Sequence, residues 1–295
     1  MARKPRIAIV IGDPSGIGPE VCVKALATGE PQDRSIPIFV GNIEALQFAA
    51  HVCNVDVRFR VVSNPAALDL PGRGSIAVID PQDLRAADYL VGQPSGLAAR
   101  AGVEWTRLAQ EYATTGEIDG FVVGPMNHQS AMEVEPAGTF PLRISGPLRT
   151  VPLVQAALTK DALLGLIVTV DRHLRRWGIA RPRVVVAGSD SHAAAAVAAA
   201  REQGIEASGP ISPDLAFQQG LEKRSDAIVT TDRDQRSIAA ETGAFTVFLG
   251  LPYVRIDVPH GTEYDIAGTG NAAHLTMLAA MNAAAALASG RGFEP

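Results

Sequence analysis

An α/β fold is what this sequence predicts, on three observations. Short apolar runs of strand length alternate with longer stretches of helical period. The first of those runs empties into a glycine-rich turn that opens a helix. At 295 residues the chain is long enough to bury a large core and to divide into two lobes.

Taken in order, residues 7–11 form an apolar run that meets Gly12, the pattern of a buried strand. A helix is expected over 19–26. Pro19 suits its first position, and Glu20 sits where a helix N-terminus favours negative charge. Strand 36–40 follows, then helix 43–51 with Asn42 as its cap. Strand 75–79, helix 97–115 and strand 120–123 continue the alternation. Residues 134–152 are rich in Pro and Gly, lack a clean period and predict irregular chain. Helix 159–177, strand 183–187 and helix 193–203 come next, with Asp190 as a plausible cap before the last. Strands 227–230 and 244–249 and a terminal helix over 271–287 complete the chain. There is no internal repeat and no low-complexity linker.

Composition narrows the function classes. The formal charge is -5, which gives no basic footprint for nucleic acid. No apolar run approaches the roughly 18 residues that span a bilayer. The two cysteines, Cys22 and Cys53, make no disulfide framework, and a reducing cytosol is the simplest expectation. The N-terminal residues run directly into a core strand without the apolar stretch of a signal peptide, which agrees with a cytoplasmic protein.

The densest chemistry lies in Gly12-Asp-Pro-Ser-Gly-Ile-Gly-Pro-Glu20. Gly12, Asp13, Gly16 and Gly18 follow one another so closely that backbone N–H groups there can approach an anion. The spacing is neither the dinucleotide fingerprint nor the P-loop. A tight turn without a ligand fits the same residues equally well.

The wording of this segment resembles the N-terminal motif of the 4-hydroxythreonine-4-phosphate dehydrogenase family of pyridoxine biosynthesis. That family also contains dehydrogenases for sugar-acid phosphates and aromatic dihydrodiols. Further matches follow in order: Gly124-Pro-Met-Asn-His128, Gly209-Pro-Ile-Ser-Pro-Asp214, Leu249-Gly-Leu-Pro-Tyr-Val-Arg255 and His260-Gly-Thr-Glu-Tyr-Asp-Ile-Ala-Gly-Thr-Gly270. The resemblance implies a two-lobed, three-layer α/β architecture of the isocitrate/isopropylmalate dehydrogenase type. It places residues 1–123 and 261–295 in one lobe, and residues 124–260 in a second that carries a homodimer interface. It also implies NAD as cofactor, with Gly12, Asp13, Gly16, Gly18, His260 and Gly261 toward the cofactor cleft.

The same resemblance implies a divalent metal on three histidines, which would polarise the substrate oxygen for hydride loss. Only His192 matches. Ser145 aligns loosely with one of the other positions, and Arg233 takes the third, within Asp232-Arg-Asp-Gln-Arg236. Arginine has no lone pair to give a metal, so the metal is doubtful here. The family's phosphate-handling segment Gly-His-Thr-Glu has no counterpart, because the chain passes from Phe140 almost directly into Leu142. The family's substrate lysine is missing from 237–245, and Thr246 stands at its asparagine position. Arg255 alone remains at the matching arginine, and His128 replaces the lysine of Gly-Pro-Ile-Asn-Lys.

Each remaining candidate has two readings. His192 is a metal ligand or acid/base group, or the cap of the Ala-rich helix after it. His128 carries a proton near neutral pH, or is a hydrogen-bonded loop residue. Arg255 and Thr246 bind an anionic substrate, or serve the fold; a bidentate anion contact suits an arginine. Arg233 is a fixed cation in the metal's place, able to stabilise a developing oxyanion, or one member of a solvated charge cluster with Asp232 and Asp234. The leading expectation is a divergent NAD-dependent dehydrogenase of a small hydroxy acid or its phosphate. The alternative is a family member without the metal-dependent reaction, acting as an anion-binding protein, a scaffold or a metal-free enzyme. Acyl transfer is a third reading, by analogy of fold alone. The expected partners are a small anionic ligand and a second copy of the chain, with no nucleic acid and no membrane.

Overall fold

The computed structural model describes residues 3–65, 75–145, 148–152, 159–188, 191–230 and 244–293. In chain order its elements are β1 (Arg6–Val10), α1 (Gly18–Ala27), α2 (Glu30–Arg34), β2 (Ile36–Val40), α3 (Ile43–Val52), β3 (Arg58–Val61), β4 (Ser75–Ile79), α4 (Gly96–Thr114), β5 (Gly120–Val123) and α5 (His128–Glu133). They continue as β6 (Phe140–Ser145), β7 (Leu148–Pro152), α6 (Lys160–Arg176), β8 (Arg183–Ala187), α7 (Ser191–Glu202), β9 (Glu206–Ile211), α8 (Pro213–Leu221), β10 (Ala227–Thr230), β11 (Phe245–Leu249), β12 (Val254–Asp257) and α9 (Leu275–Ala288).

Two compact units divide the chain. One holds Met1–Pro136 and Pro252–Ser289, and the other holds Ala137–Leu251 and Gly290–Phe293. The divisions thus fall at 136/137 and 251/252, against sequence-based boundaries at 123/124 and 260/261.

The first unit is built on six strands in the order β3-β4-β2-β1-β5-β12, every neighbouring pair parallel. A parallel sheet covered by helices buries both faces, so its strands read as unbroken apolar runs. Val10 of β1, Val40 of β2 and Phe121 of β5 are fully buried accordingly. Helix α4 turns Ala98, Ala101, Gly102, Trp105, Thr106, Ala109 and Ala113 inward, a stripe at helical spacing. Asn42 caps α3 by accepting from the Ala45 N–H at 2.8 Å, as its position in the sequence predicts. Helix α9 packs on β12, β5 and β1, so the last long helix closes the core begun by the first strand.

The second unit orders its strands β11-β6-β7-β10-β8-β9. Strand β6 is antiparallel to both neighbours, and the β7-β10-β8-β9 pairs are parallel. Val185, Ala187, Ala216, Phe217 and Ile228 form part of its core. The expectation of irregular chain over 134–152 is corrected here. Residues 140–145 and 148–152 are the paired strands β6 and β7, with Arg143 opposite Thr150. The alternation that fixes their faces (Leu142 and Ile144 inward) is only two residues long, and Pro141 and Pro152 mask it. Strands β3, β9 and β12 also escape a sequence reading. Arg58 and Arg60 break up β3, Gly209 and Pro210 break up β9, and Arg255 and Asp257 occupy two of the four positions of β12.

Within this unit, His173 near the end of α6 is buried. Its Nε2 accepts the Gly250 N–H at 2.9 Å, and its ring lies 5.3 Å from that of Trp177. Burial, with Arg172 and Arg176 nearby, pushes its pKa down to about 4. A histidine depressed in the folded state binds its proton first in the unfolded chain. Its contribution to stability is therefore present above about pH 6.5 and lost as pH falls through 4. Thermal melts between pH 7 and 4.5 should show a fall in Tm that shrinks in His173→Gln, which keeps an acceptor for Gly250 but does not titrate. Equal slopes for the two proteins would contradict this assignment.

Candidate functional site

In the first unit, β2 lies on one side of β1 and β5 on the other, so the chain reverses its direction of winding between β1 and β5. Ligands of open α/β sheets bind outside the carboxyl ends of the strands at such a switch point. Here those ends lead into the glycine-rich turn after β1 and into Gly124-Pro-Met-Asn127 after β5.

The turn is packed shut. Gly12 has φ +76°, and a Cβ added to it would stand 2.2 Å from the Pro125 carbonyl oxygen. Gly16 and Gly18 have backbone oxygens just as close, Thr262 O at 2.5 Å and Ile11 O at 2.1 Å. Several of the turn's N–H groups are spent internally. Asp13 N donates to Pro125 O at 2.9 Å, Gly16 N to Asp13 O at 3.1 Å and Ile17 N to Thr262 O at 2.9 Å. Gly16 therefore frees no N–H group for an anion, and all three glycines serve the packing. Their missing side chains let backbone meet backbone.

Asp13 is fully buried beneath the turn. Its carboxylate accepts from Ser15 N at 2.9 Å, Ser15 Oγ at 2.7 Å and the Tyr264 hydroxyl at 2.8 Å. Burial, together with the adjacent Asp13 carboxylate, raises the Tyr264 phenol above its ordinary range and keeps it a donor. One turn into α1, the Glu20 carboxylate accepts the N–H groups of Gly268 and Gly270, and Lys24 Nζ donates to Gly270 O at 2.8 Å and Ala272 O at 2.7 Å. Helix α1 therefore holds the whole segment 262–272 in place.

A cleft of about 400 Å³ opens beside this hub. It is lined by Ser95 and Arg100 of the α4 end, Asn127, Gln129 and Glu133 of the α5 end, and Tyr264. Asn127 fixes its own wall by accepting from Ser130 N at 2.9 Å. A second cleft of about 330 Å³ lies between Pro14, Phe48, Tyr89 and Leu90. Its acidic groups are committed, Glu20 as above and Glu44 to the Ala86 N–H at 2.9 Å, and burial pushes its Tyr89 phenol up to about 12. The first cleft keeps polar groups in reserve and is the better candidate.

The other predicted residues are placed as follows. His128 opens α5 beside Asn127 and is exposed. His260 and Gly261 begin the segment that α1 holds. His260 Nδ1 lies 3.9 Å from Glu263 Oε1, and its Nε2 is buried with no hydrogen-bond partner among the described residues. Arg255 is fully buried, bidentate to Asp257 at 3.0 and 2.8 Å and donating to Val134 O at 2.6 Å. That corrects its reading as a substrate-binding arginine, because its guanidinium is spent on the fold. Thr246 is half-buried in β11, opposite Arg143 of β6. His192 is exposed in the first turn of α7. Arg233, with Asp232 and Asp234, lies outside the described residues, as does Asp190.

The implied metal does not fit the aligned donor set of Ser145, His192 and Arg233, since a guanidinium offers no lone pair. Among the described residues no three His, Cys, Asp or Glu side chains converge as a metal site. NAD fits in part: Gly16 has no N–H to give it, while the orphaned His260 Nε2 and the open space at Gly261 suit a bound group. Burial pushes the Cys22 thiol up, as it does that of Cys53, away from nucleophile chemistry. Sequence reasoning missed Ser95, Arg100, Gln129, Glu133 and Tyr264 as cleft residues. Asn127 and Tyr264 lie inside quoted motifs and were findable. Arg100 reads only as the polar face of an amphipathic helix.

Such a sheet, with a cleft at its switch point, defines an α/β protein of the doubly wound class. A β-decarboxylating dehydrogenase from Thermococcus kodakarensis shares the fold alone, with a TM-score of 0.50, 14% identity and coverage of 94% of this chain and 81% of its own. The chain belongs to the 4-hydroxythreonine-4-phosphate dehydrogenase family, a family of oxidoreductases. A family model described as pyridoxal phosphate biosynthetic protein PdxA matches residues 145–284. A Novosphingobium aromaticivorans protein with the provisional name 4-hydroxythreonine-4-phosphate dehydrogenase is 33% identical over 328 residues, covering 99% of this chain and 97% of its own. That alignment is longer than the 295 residues of this chain, so the relative carries segments absent here. The 4-hydroxythreonine-4-phosphate dehydrogenase structure from Klebsiella pneumoniae has a TM-score of 0.82 at 26% identity, covering 97% of this chain and 99% of its own. Among the described residues no helix is long and apolar enough to cross a membrane.

The hydrogen bond from Tyr264 to the buried Asp13 carboxylate is a bond to a charged group, worth about 1.5–3 kcal/mol. Tyr264→Phe should lower unfolding free energy by that amount in urea titration. Asp13→Ala, which orphans the Ser15 and Tyr264 donors together, should cost more.

Proposed function

We propose that the protein is a divergent NAD-dependent dehydrogenase that oxidises the secondary alcohol of a small hydroxy acid or its phosphate. The observation that carries this reading is the meeting of two family motifs, around Asn127 and Tyr264, on one switch-point cleft, with the third motif packed behind them through Gly12 and Asp13, in a chain that belongs to an oxidoreductase family.

Alcohol oxidation removes a hydride and a proton. NAD, when bound, supplies the hydride acceptor, and His260 and Gly261 are the residues of this chain suited to hold it. Asn127, Gln129 and Tyr264 offer the hydrogen bonds that orient a small polar substrate in the cleft. His128, exposed next to the cleft residue Asn127, is the imidazole suited to take the proton. No step runs through a metal.

The test is formation of reduced cofactor over a panel of hydroxy acids and their phosphates. Turnover should fall about 100-fold in His128→Ala, the usual scale of a lost general base. Absence of both NAD binding and turnover across the panel would overturn this reading. The misfit of the aligned metal donors favours a second one, an anion-binding family member without the metal-dependent reaction; it predicts ligand binding with no reduced cofactor.

The same proposal includes a cytoplasmic homodimer, since isologous pairs are the commonest soluble assembly and the family resemblance implies one. Light scattering at micromolar concentration should give twice the chain mass of 30.9 kDa, and a monomer would refute it.

A further inference from the structure

Two ionised side chains, Arg100 and Glu133, line the 400 Å³ cleft, and no other described residue on its walls carries a charge. Arg100 is 77% exposed, and its partner Glu104 stands 3.7 Å away. Glu104 is engaged more closely by Arg107, at 2.7 Å. Arg100 therefore keeps donors in reserve one turn into α4. Glu133, exposed at the end of α5, makes no ion pair and no hydrogen bond among the described residues. The two lie on walls built by different helices, and they do not pair with each other.

The walls thus sum to zero charge. A carboxylate brings one negative charge, which Arg100 can meet in a planar bidentate contact. A phosphate monoester brings close to two near neutral pH. Its second charge would find no further cation on these walls and would face Glu133. Arg255, the one cation left at a family phosphate position, is buried and bound to Asp257 and the Val134 carbonyl. Lys24 is bound to two backbone carbonyls.

We infer that this cleft selects a singly charged carboxylate over a phosphate monoester, with Arg100 and Glu133 as its specificity-determining pair. The inference rests on the proposed placement of the substrate in this cleft. It departs from the phosphorylated substrate in the family's name. Gly96, next to the Ser95 cap, supports the placement, because a Cβ there would project into open space and not into protein.

The experiment is isothermal titration calorimetry with NAD present, using threonate and threonate 4-phosphate as probes. Wild type, Arg100→Gln and Glu133→Gln are compared; both side chains are exposed, so neither change touches the core. Wild type should bind threonate at least as tightly as its phosphate. Arg100→Gln should weaken threonate about tenfold, the loss of one charge-assisted contact. Glu133→Gln should shift the affinity ratio toward the phosphate by about three- to fivefold, and that shift should shrink in high salt. A wild type that prefers the phosphate, a ratio unmoved by Glu133→Gln, or no binding of either probe overturns the inference. Because the readout is binding, the expected pattern would leave the cleft's selectivity standing even if the substrate panel refuted the dehydrogenase reading.

Discussion

The contact on which the first unit depends is backbone on backbone, between the turn after β1 and the segment after β5. Gly12 lies against the Pro125 carbonyl so closely that a single methyl group would collide with it. Because the two strand ends touch directly, the turn behaves as a fixed wall. Two residues that line the cleft are positioned from that wall, Tyr264 through the buried Asp13 carboxylate and Asn127 through the continuation of β5. The glycines act by what they lack, and their value lies in geometry and not in donors offered to a ligand.

Buried charge follows the same economy. Glu20, Asp13 and Arg255 are almost wholly removed from water. Such groups are tolerated only when hydrogen-bonded or paired. Each is committed: Glu20 to two backbone N–H groups, Asp13 to Ser15 and Tyr264, Arg255 to Asp257 and Val134. Arg100, Glu133 and His128, by contrast, are exposed.

The sequence foretold most of the parallel core, because a strand covered on both faces is apolar throughout and needs no partner to be recognised. Strands β4, β5, β8 and β10 fall at the expected residues for that reason. Strands β6, β7 and β12 did not, since their identity comes from neighbours: Leu142 and Ile144 point inward because β11 and β7 flank them. Arg255 shows the same limit at a single residue. Its place in a motif suggested substrate binding, while its partner Asp257, two residues along the same strand face, assigns it to the fold. The metal question could be posed from sequence because it concerns donor atoms. The cleft charges could not, because only tertiary structure places Arg100 and Glu133 on the walls of one cleft.

The clamp from α1 to residues 268–272 also bears on how the protein is made. Glu20 and Lys24 leave the ribosome early, and the loop they grip follows almost 250 residues later. Strand β12 and helix α9, which complete the first sheet and its cover, are equally late. The second unit, by contrast, is contiguous from Ala137 to Leu251, apart from four residues near the C-terminus. Domains generally fold as units during synthesis, and contacts distant in sequence pay their loop-closure entropy before they return stability. The middle of the chain is thus able to fold while the first unit still waits, its sheet edge at β5 uncovered, for the last segment to be translated.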